Sequence, residues 1–148
     1  YDWIWNKKKA GNFLLGKIQP MKIHENISVF GKGKINYYPI KTLQKSRKGK
    51  ATKYSDNYSH SFKLKEFMYC DKYPISIQEF CNCDNKNKVH PTQKPVALLQ
   101  YLIRTYTKEN ETVLDFTMGS GSTGVACKNL NRNFIGIELN KKYFDIAV

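Results

Sequence analysis

The segment 113–124, VLDFTMGSGSTG, constrains the fold of this chain more than any other stretch. An apolar strand runs into an acid, and then into a glycine-rich turn that leads to a helix start of small residues. Phe134–Glu138 predicts a second strand that also ends in an acid. Units with this β-α-β order bind nucleoside-bearing ligands at the carboxyl ends of their strands. The sequence therefore favours an α/β fold and a cofactor-dependent enzyme, or a piece of one.

The sequence of the turn indicates which classes of ligand it could bind. Gly119–Gly124 matches G-x-G-x-x-G, and the helix after it presents free N–H groups. Asp115 would place negative charge near a pyrophosphate, whereas a carboxylate suits the amino and sulfonium groups of S-adenosylmethionine. Val125 stands where a phosphate-binding P-loop needs Lys, which argues against a nucleoside triphosphatase. A nicotinamide-dependent oxidoreductase is a distant alternative, and a structural turn without any ligand stays open.

Charge points to a polyanionic partner. Lys and Arg outnumber Asp and Glu by 25 to 12, which gives a net charge of +13. Such a surplus is typical of nucleic-acid binding, although a solubilising surface would have the same composition. Most of the cations are Lys, which suits contacts to phosphates better than bidentate readout of guanine.

The basic residues concentrate in the middle of the chain. Residues 41–66 mix cations with aromatic side chains and show no helical or strand period, and 67–89 also looks irregular. Cations on phosphates and rings on bases suit a nucleic-acid contact, but a solvated loop is an equal alternative. The candidate DNA-binding residues are Lys45, Arg47, Lys48, Lys50 and Lys53.

Regular elements are predicted on both sides of this region. Strands are expected over 1–7 and Ile27–Phe30, and later over Thr112–Phe116 and Phe134–Glu138. Pro95 fits the first turn of a helix whose apolar face has Leu99, Leu102, Ile103 and Tyr106 at helical spacing. Further helices are expected over Ser122–Leu130 and Lys141–Ala147.

Neither a metal site nor a membrane span is indicated. Zinc ligation by Cys70, Cys81, Cys83 and His90 is disfavoured because the sequence has no C-x-x-C pair. No apolar run approaches the roughly 18 residues that would span a bilayer. No signal-peptide pattern is visible, so we expect a cytoplasmic protein and no membrane partner.

Two stretches together carry a resemblance to a known family. His90-Pro-Thr-Gln-Lys-Pro95, followed by Asp115-Phe-Thr-Met-Gly-Ser-Gly-Ser-Thr123, strongly resembles the amino-methylating DNA methyltransferases, adenine-N6 and cytosine-N4. The match is to the permuted group, in which the catalytic half precedes the cofactor half. It covers about 90–147, and 3–39 is also similar. The resemblance implies a Rossmann-like, doubly wound sheet that binds S-adenosylmethionine and is incomplete in this chain.

The resemblance also implies site residues and a division of the chain. Residues 1–40 would end the catalytic half, 41–89 would be a basic target-recognition region, and 90–148 would bind the cofactor. The family usually has Asp-Pro-Phe before its glycine turn, whereas Phe116 directly follows Asp115 here. By resemblance the methionine and ribose part of the cofactor would be lined by Asp115, Phe116, Gly119, Ser120 and Gly121. The segment His90–Pro95 would close over the methionine end, with Thr92 and Lys94 as polar contacts. Glu138 would accept hydrogen bonds from the ribose, and Leu139 would lie against the adenine.

One departure concerns catalysis. The family's motif (Asp/Asn/Ser)-Pro-Pro-(Tyr/Phe/Trp) is absent, since no Pro-Pro occurs in the sequence. In the permuted order that motif is expected upstream of Tyr1, supplied by the same protein or by a second chain. We expect a portion of a bacterial or phage enzyme that methylates double-stranded DNA on adenine N6 or cytosine N4, inactive alone. The alternative is a nucleic-acid-binding module with an unused cofactor fold.

Overall fold

The computed structural model describes residues 1–49, 67–82 and 89–148, without the side chains of 46–49 and 67–69. Within these ranges the chain forms two compact units, one of residues 1–38 and 75–148 and the other of residues 39–74. No helix in the described ranges is both long and apolar enough to cross a membrane.

The first sheet of the larger unit is built on β1 (Asp2–Asn6). β1 pairs antiparallel with β2 (His24–Ser28) and parallel with β5 (Ile77–Glu79). Side chains alternate across a strand, so Trp3 and Trp5 fall on one face and are almost fully buried. The strand predicted over 1–7 is confirmed, whereas the second strand begins earlier than predicted and ends before Phe30.

The second sheet is the predicted β-α-β unit. β6 (Thr112–Asp115) and β7 (Asn133–Gly136) are parallel neighbours, and α2 (Ser122–Asn129) connects them. Asp115 lies opposite Gly136 in register, so both strands end at the same edge. The glycine turn, residues 116–121, joins β6 to α2 at this edge.

Helix α1 (Val96–Tyr106) and α2 cover one face of this sheet. Ile103 of α1 packs with Ala126, Cys127 and Leu130, and Val113 and Phe134 add partly buried side chains from the strands. α1 begins directly after Pro95, as predicted. The sequence missed Leu98 on its buried face. Thr105 is also fully buried, and its hydroxyl donates to the Tyr101 carbonyl at 2.8 Å, so the buried polar group has a hydrogen-bond partner.

The opposite face of the β6–β7 sheet is apolar and exposed. Leu114 and Ile135 are 58% and 53% exposed, and they point away from the helices by strand alternation. Helix α3 (Lys141–Ala147) follows β7, as predicted, and begins where the Asn140 side chain accepts a hydrogen bond from the Lys142 amide. The described residues leave this face of the β6–β7 sheet, with Leu114 and Ile135, exposed.

The smaller unit is a hairpin that the sequence did not predict. β3 (Thr42–Gly49) runs antiparallel to β4 (Phe67–Lys72), with an irregular register between Leu43 and Arg47. Leu43 is 92% exposed, so the described side chains of β3 bury no apolar face that an alternating sequence pattern could have indicated. The expectation of irregular structure is wrong over 42–49, 67–72 and 77–79, because backbone pairing forms strands there without a readable period.

Candidate functional site

A cavity of about 300 Å³ opens at the carboxyl end of β6. One wall is the glycine turn with the first turn of α2, and the other is the 90–94 segment that precedes α1. The lining residues are His90, Thr92, Gln93, Lys94, Leu99, Asp115, Thr117, Met118, Gly119, Ser120, Ser122 and Thr123.

Asp115 supplies a carboxylate to the first wall. Its Oδ1 accepts the Thr117 amide at 3.1 Å, and its Oδ2 accepts the Thr123 hydroxyl at 2.6 Å. These bonds fix the carboxylate orientation but use only part of its accepting capacity, which is about four lone-pair sites. Asp115 can therefore accept further hydrogen bonds from a cationic ligand in the cavity.

Glu138 ties the glycine turn to the end of β7. Its Oε1 accepts the Asn140 amide and its Oε2 accepts the Gly119 amide, each at 2.8 Å. The Asn140 amide lowers the Glu138 pKa most; burial opposes this, and the Gly119 amide and the charge of His90 add to the lowering. The Glu138 carboxylate thus has hydrogen-bond partners within the protein, and it connects the glycine turn to the loop after β7 beside the cavity.

Two positions of the turn need glycine for different reasons. Gly119 has φ +55°, and a side chain there would meet the His90 ring at 3.5 Å. Gly121 has φ +80°, and its Cβ would lie 2.9 Å from that of Ala147. Gly119 is favoured by its left-handed backbone conformation alone, since 3.5 Å is an ordinary contact distance, while the missing side chain of Gly121 also allows α3 to pack against the turn.

The second wall is ordered by contacts of His90. Its Nδ1 lies 3.3 Å from the Thr92 amide and 3.1 Å from the Thr92 hydroxyl. Its ring meets Tyr143 of α3 edge-on, with 4.2 Å between the ring centroids. His90 thus connects the 90–94 segment to α3.

Lys94 lies at the other end of this wall and is paired. Its Nζ donates to Glu25 Oε2 at 2.7 Å and lies 5.5 Å from the ring centroid of Trp5. Glu25 Oε1 is also 3.4 Å from the Lys7 ammonium. Burial raises the Glu25 pKa, but hydrogen bonds and attraction from Lys94 and Lys7 outweigh it and leave the pKa lowered.

The structure brings some of the predicted cofactor residues together and not others. Phe116 is 71% exposed, Leu139 is fully exposed, and Gly121 and Glu138 support the turn without lining the cavity. The predicted residues that line the cavity are Thr92, Lys94, Asp115, Gly119 and Ser120.

Sequence reasoning missed several lining residues and one supporting residue. His90 and Gln93 stand inside the HPTQKP motif, and Thr123 stands in the glycine segment, so motif membership was the signal for them. Glu25 stands in the stretch 3–39 that also resembles the family, but its pairing with Lys94, 69 positions away along the chain, had no signal in the sequence.

The predicted DNA-binding residues are only partly described. Lys45 is exposed on β3, and the backbones of Arg47 and Lys48 pair with those of Tyr69 and Met68. Lys50 and Lys53 lie outside the described residues.

The thiols give no metal site in the described part of the chain, which has no suitable group of three His, Cys, Asp or Glu side chains. Cys83 lies outside the described residues. Burial raises the pKa of the Cys127 thiol, which favours its neutral form.

Comparison with known proteins gives consistent results. A family model for N6/N4 methyltransferases, described as DNA methylase, matches residues 1–148. The type II methyltransferase M.HpaI of Haemophilus parainfluenzae is 43% identical over 77 residues, which are 50% of this chain and 24% of that protein. The type II methyltransferase M2.LlaDCHI of Lactococcus lactis subsp. cremoris is 53% identical over 58 residues, 39% of this chain and 22% of that protein. These matches span about a quarter of the length of the curated relatives.

A solved structure matches a larger part of this chain than these relatives do. The crystal structure of an M1.HpyAVI–SAM complex is 30% identical, has a TM-score of 0.64, and is matched over 99% of this chain and 59% of that one. The likeness confirms the predicted fold class, a Rossmann-like α/β methyltransferase sheet that is incomplete in this chain.

Proposed function

The chain belongs to the DNA methylase family, and on that premise we propose that it is the cofactor-binding and target-recognition portion of a DNA methyltransferase. The methyl donor is S-adenosylmethionine, and the acceptor is an exocyclic amine of DNA, adenine N6 or cytosine N4. We place the enzyme in the bacterial cytoplasm, since the relatives named above are bacterial.

The observation that carries the proposal is the cavity beside Asp115. The methionine part of the cofactor bears an ammonium and a sulfonium, and the carboxylates of Asp115 and Glu138 both stand at this edge of the sheet. Asp115 lines the cavity and has free acceptor capacity, while the Ser120 and Thr92 hydroxyls suit polar groups of the ligand. The residues present therefore fit the chemistry of this cofactor.

Each wall has its own task in this proposal. Asp115 binds and orients the cationic end, with its position set by Thr117 and Thr123. Glu138 keeps the turn closed through Gly119, and the 90–94 segment shields the reacting end from water. When bound, S-adenosylmethionine supplies an electrophilic methyl group, so no covalent enzyme intermediate is needed.

DNA recognition is proposed for the smaller unit. Its surroundings in the chain are strongly basic, Lys45 is exposed on β3, and the whole chain has a net charge of +13. Lysines suit phosphate contacts that position duplex DNA. We assign residues 41–89 to target recognition, 1–40 to the catalytic half and 90–148 to cofactor binding.

The acceptor for the target amine is proposed to come from outside this sequence, because these 148 residues contain no Pro-Pro pair. The chain alone is therefore expected to bind the cofactor but to transfer no methyl group to DNA.

Calorimetric titration of the chain tests the proposal. We expect binding of S-adenosylmethionine and of duplex DNA, and no binding of NAD. Binding of DNA with no affinity for S-adenosylmethionine, in a sample shown to be folded by circular dichroism, would replace the proposal with a nucleic-acid-binding module. Methylation of DNA by the chain alone would overturn the assignment of catalysis to residues outside it.

A further inference from the structure

We propose that Glu25 is a positioning residue for the cofactor site, acting through Lys94. The inference rests on the proposed function, because it concerns the wall of the same cavity. Glu25 does not line the cavity and belongs to β2, a strand of the other sheet.

The geometry links Glu25 to the wall through a single side chain. Glu25 lies directly opposite Trp5 in the β1–β2 register. Lys94 meets both, at 2.7 Å from the carboxylate and 5.5 Å from the indole centroid. Lys94 also lines the cavity and directly precedes Pro95, where α1 begins. The ion pair therefore anchors the end of the 90–94 segment to the β1–β2 pair.

The charges explain why a carboxylate is needed at this position. The Glu25 carboxylate contacts two ammonium groups, those of Lys94 and Lys7. The Lys7 ammonium is 3.4 Å away, and the Lys7 side chain is only 15% exposed. With a neutral residue at position 25, two cations would face each other without a counter-charge. Lys94, whose side chain is 44% exposed, is the one free to turn away, and its movement would loosen the wall. It would also bring an unpaired cation towards a site proposed for a cationic ligand.

A second ion pair of the same sheet provides a matched control. Lys8 and Glu79 lie 3.2 Å apart with side chains 52% and 55% exposed, and neither lines the cavity. Glu79→Gln therefore removes a carboxylate from the same sheet without touching Lys94.

The first measurement is amide hydrogen exchange over 89–94 in the full-length protein without cofactor. We compare Glu25→Gln, Lys94→Gln, the double variant and Glu79→Gln. Exchange in this segment should rise about fivefold in each single variant at the Glu25–Lys94 pair, as expected for losing a favourable surface pair. The double variant should exchange no faster than either single variant, because both remove one interaction. Glu79→Gln should match the wild type.

The second measurement is the dissociation constant for S-adenosylmethionine in the same proteins. It should rise about fivefold in Lys94→Gln, further in Glu25→Gln, which leaves the Lys94 cation unpaired, and no further in the double variant than in Lys94→Gln. S-adenosylhomocysteine lacks the sulfonium charge, so Glu25→Gln should weaken its binding less. A purely structural loss would weaken both ligands equally.

The outcomes separate this inference from the proposed function. Unchanged exchange over 89–94 in Glu25→Gln, or additive effects in the double variant, would overturn the positioning role. A wild type that does not bind S-adenosylmethionine would overturn the proposed function, while the exchange data still decide whether Glu25 orders the segment. If Glu25→Gln does not fold, the exchange of Lys94→Gln decides the same question.

Discussion

The two walls of the cavity are built in different ways. The glycine-turn wall is held by contacts within residues 115–147, such as the Asp115–Thr123 and Glu138–Gly119 hydrogen bonds and the packing of Ala147 against Gly121. The 90–94 wall is held by distant partners, namely Glu25 and Trp5 at one end and Tyr143 at the other. The first wall is encoded by a local motif, whereas the second exists only when separate parts of the chain have packed together.

The largest expected effect concerns the backbone of the local wall. Gly121→Ala places a side chain at φ +80° and 2.9 Å from the Ala147 Cβ. We expect a loss of about 3 kcal/mol in the free energy of unfolding, from backbone strain and overpacking together. Chemical denaturation followed by circular dichroism measures it.

Gly33→Ala is the matched control for that substitution. Gly33 has φ +79°, but a side chain there would meet nothing within 4 Å. It should lose only about 1 kcal/mol, the backbone strain alone. Equal losses at the two glycines would show that α3 does not pack closely against the turn at Gly121.

The next effect concerns ligand binding at the local wall. Asp115→Asn keeps the side-chain shape and one acceptor but removes the charge proposed to bind the cationic end. The affinity for S-adenosylmethionine should fall roughly tenfold to a hundredfold, the range for a hydrogen bond to a charged group. Isothermal titration calorimetry gives the ratio.

Asp145→Asn is the control for charge alone. Asp145 pairs with Lys141 on the exposed surface of α3 and does not line the cavity. Its affinity should equal that of the wild type. A similar loss in both variants would mean that the cavity responds to net charge and not to Asp115.

The smallest effect is a titration within the local wall. The lowered pKa of Glu138 means that its contribution is present above the ordinary value of 4.5 and is lost as the pH falls through the lowered value. The Gly119 and Asn140 amide resonances should therefore change together at a pH below 4.5. In Glu138→Gln neither amide should show this step, and a step that persists would assign the titration to another group.

The contrast between the walls explains how much could be read from the sequence. The strand ending at Asp115, the glycine turn and α2 follow one another in the chain, so residue order alone predicts them. The HPTQKP motif predicts the second wall only through its resemblance to a family. The contact of Glu25 with Lys94 could not be predicted, because pairing across 69 positions depends on how β2 and the 90–94 segment pack.

The hairpin of the smaller unit shows a different limit on what the sequence predicts. The basic charge of this part of the chain predicts a polyanionic partner. The strands β3 and β4 have no readable hydrophobic period, and the apolar Leu43 of β3 is 92% exposed instead of facing a core. Phe116 and Leu139, which the resemblance assigns to the ligand, are exposed in the described structure, and their roles stay predictions.

The central claim is that both walls belong to one cofactor site, and amide chemical shifts during titration with S-adenosylmethionine test it most directly. We predict that Thr92 and Gln93 shift together with Thr117, Gly119 and Thr123, with one dissociation constant, while the amides of 42–45 stay unchanged. Shifts confined to one wall, or to the hairpin, would contradict the claim.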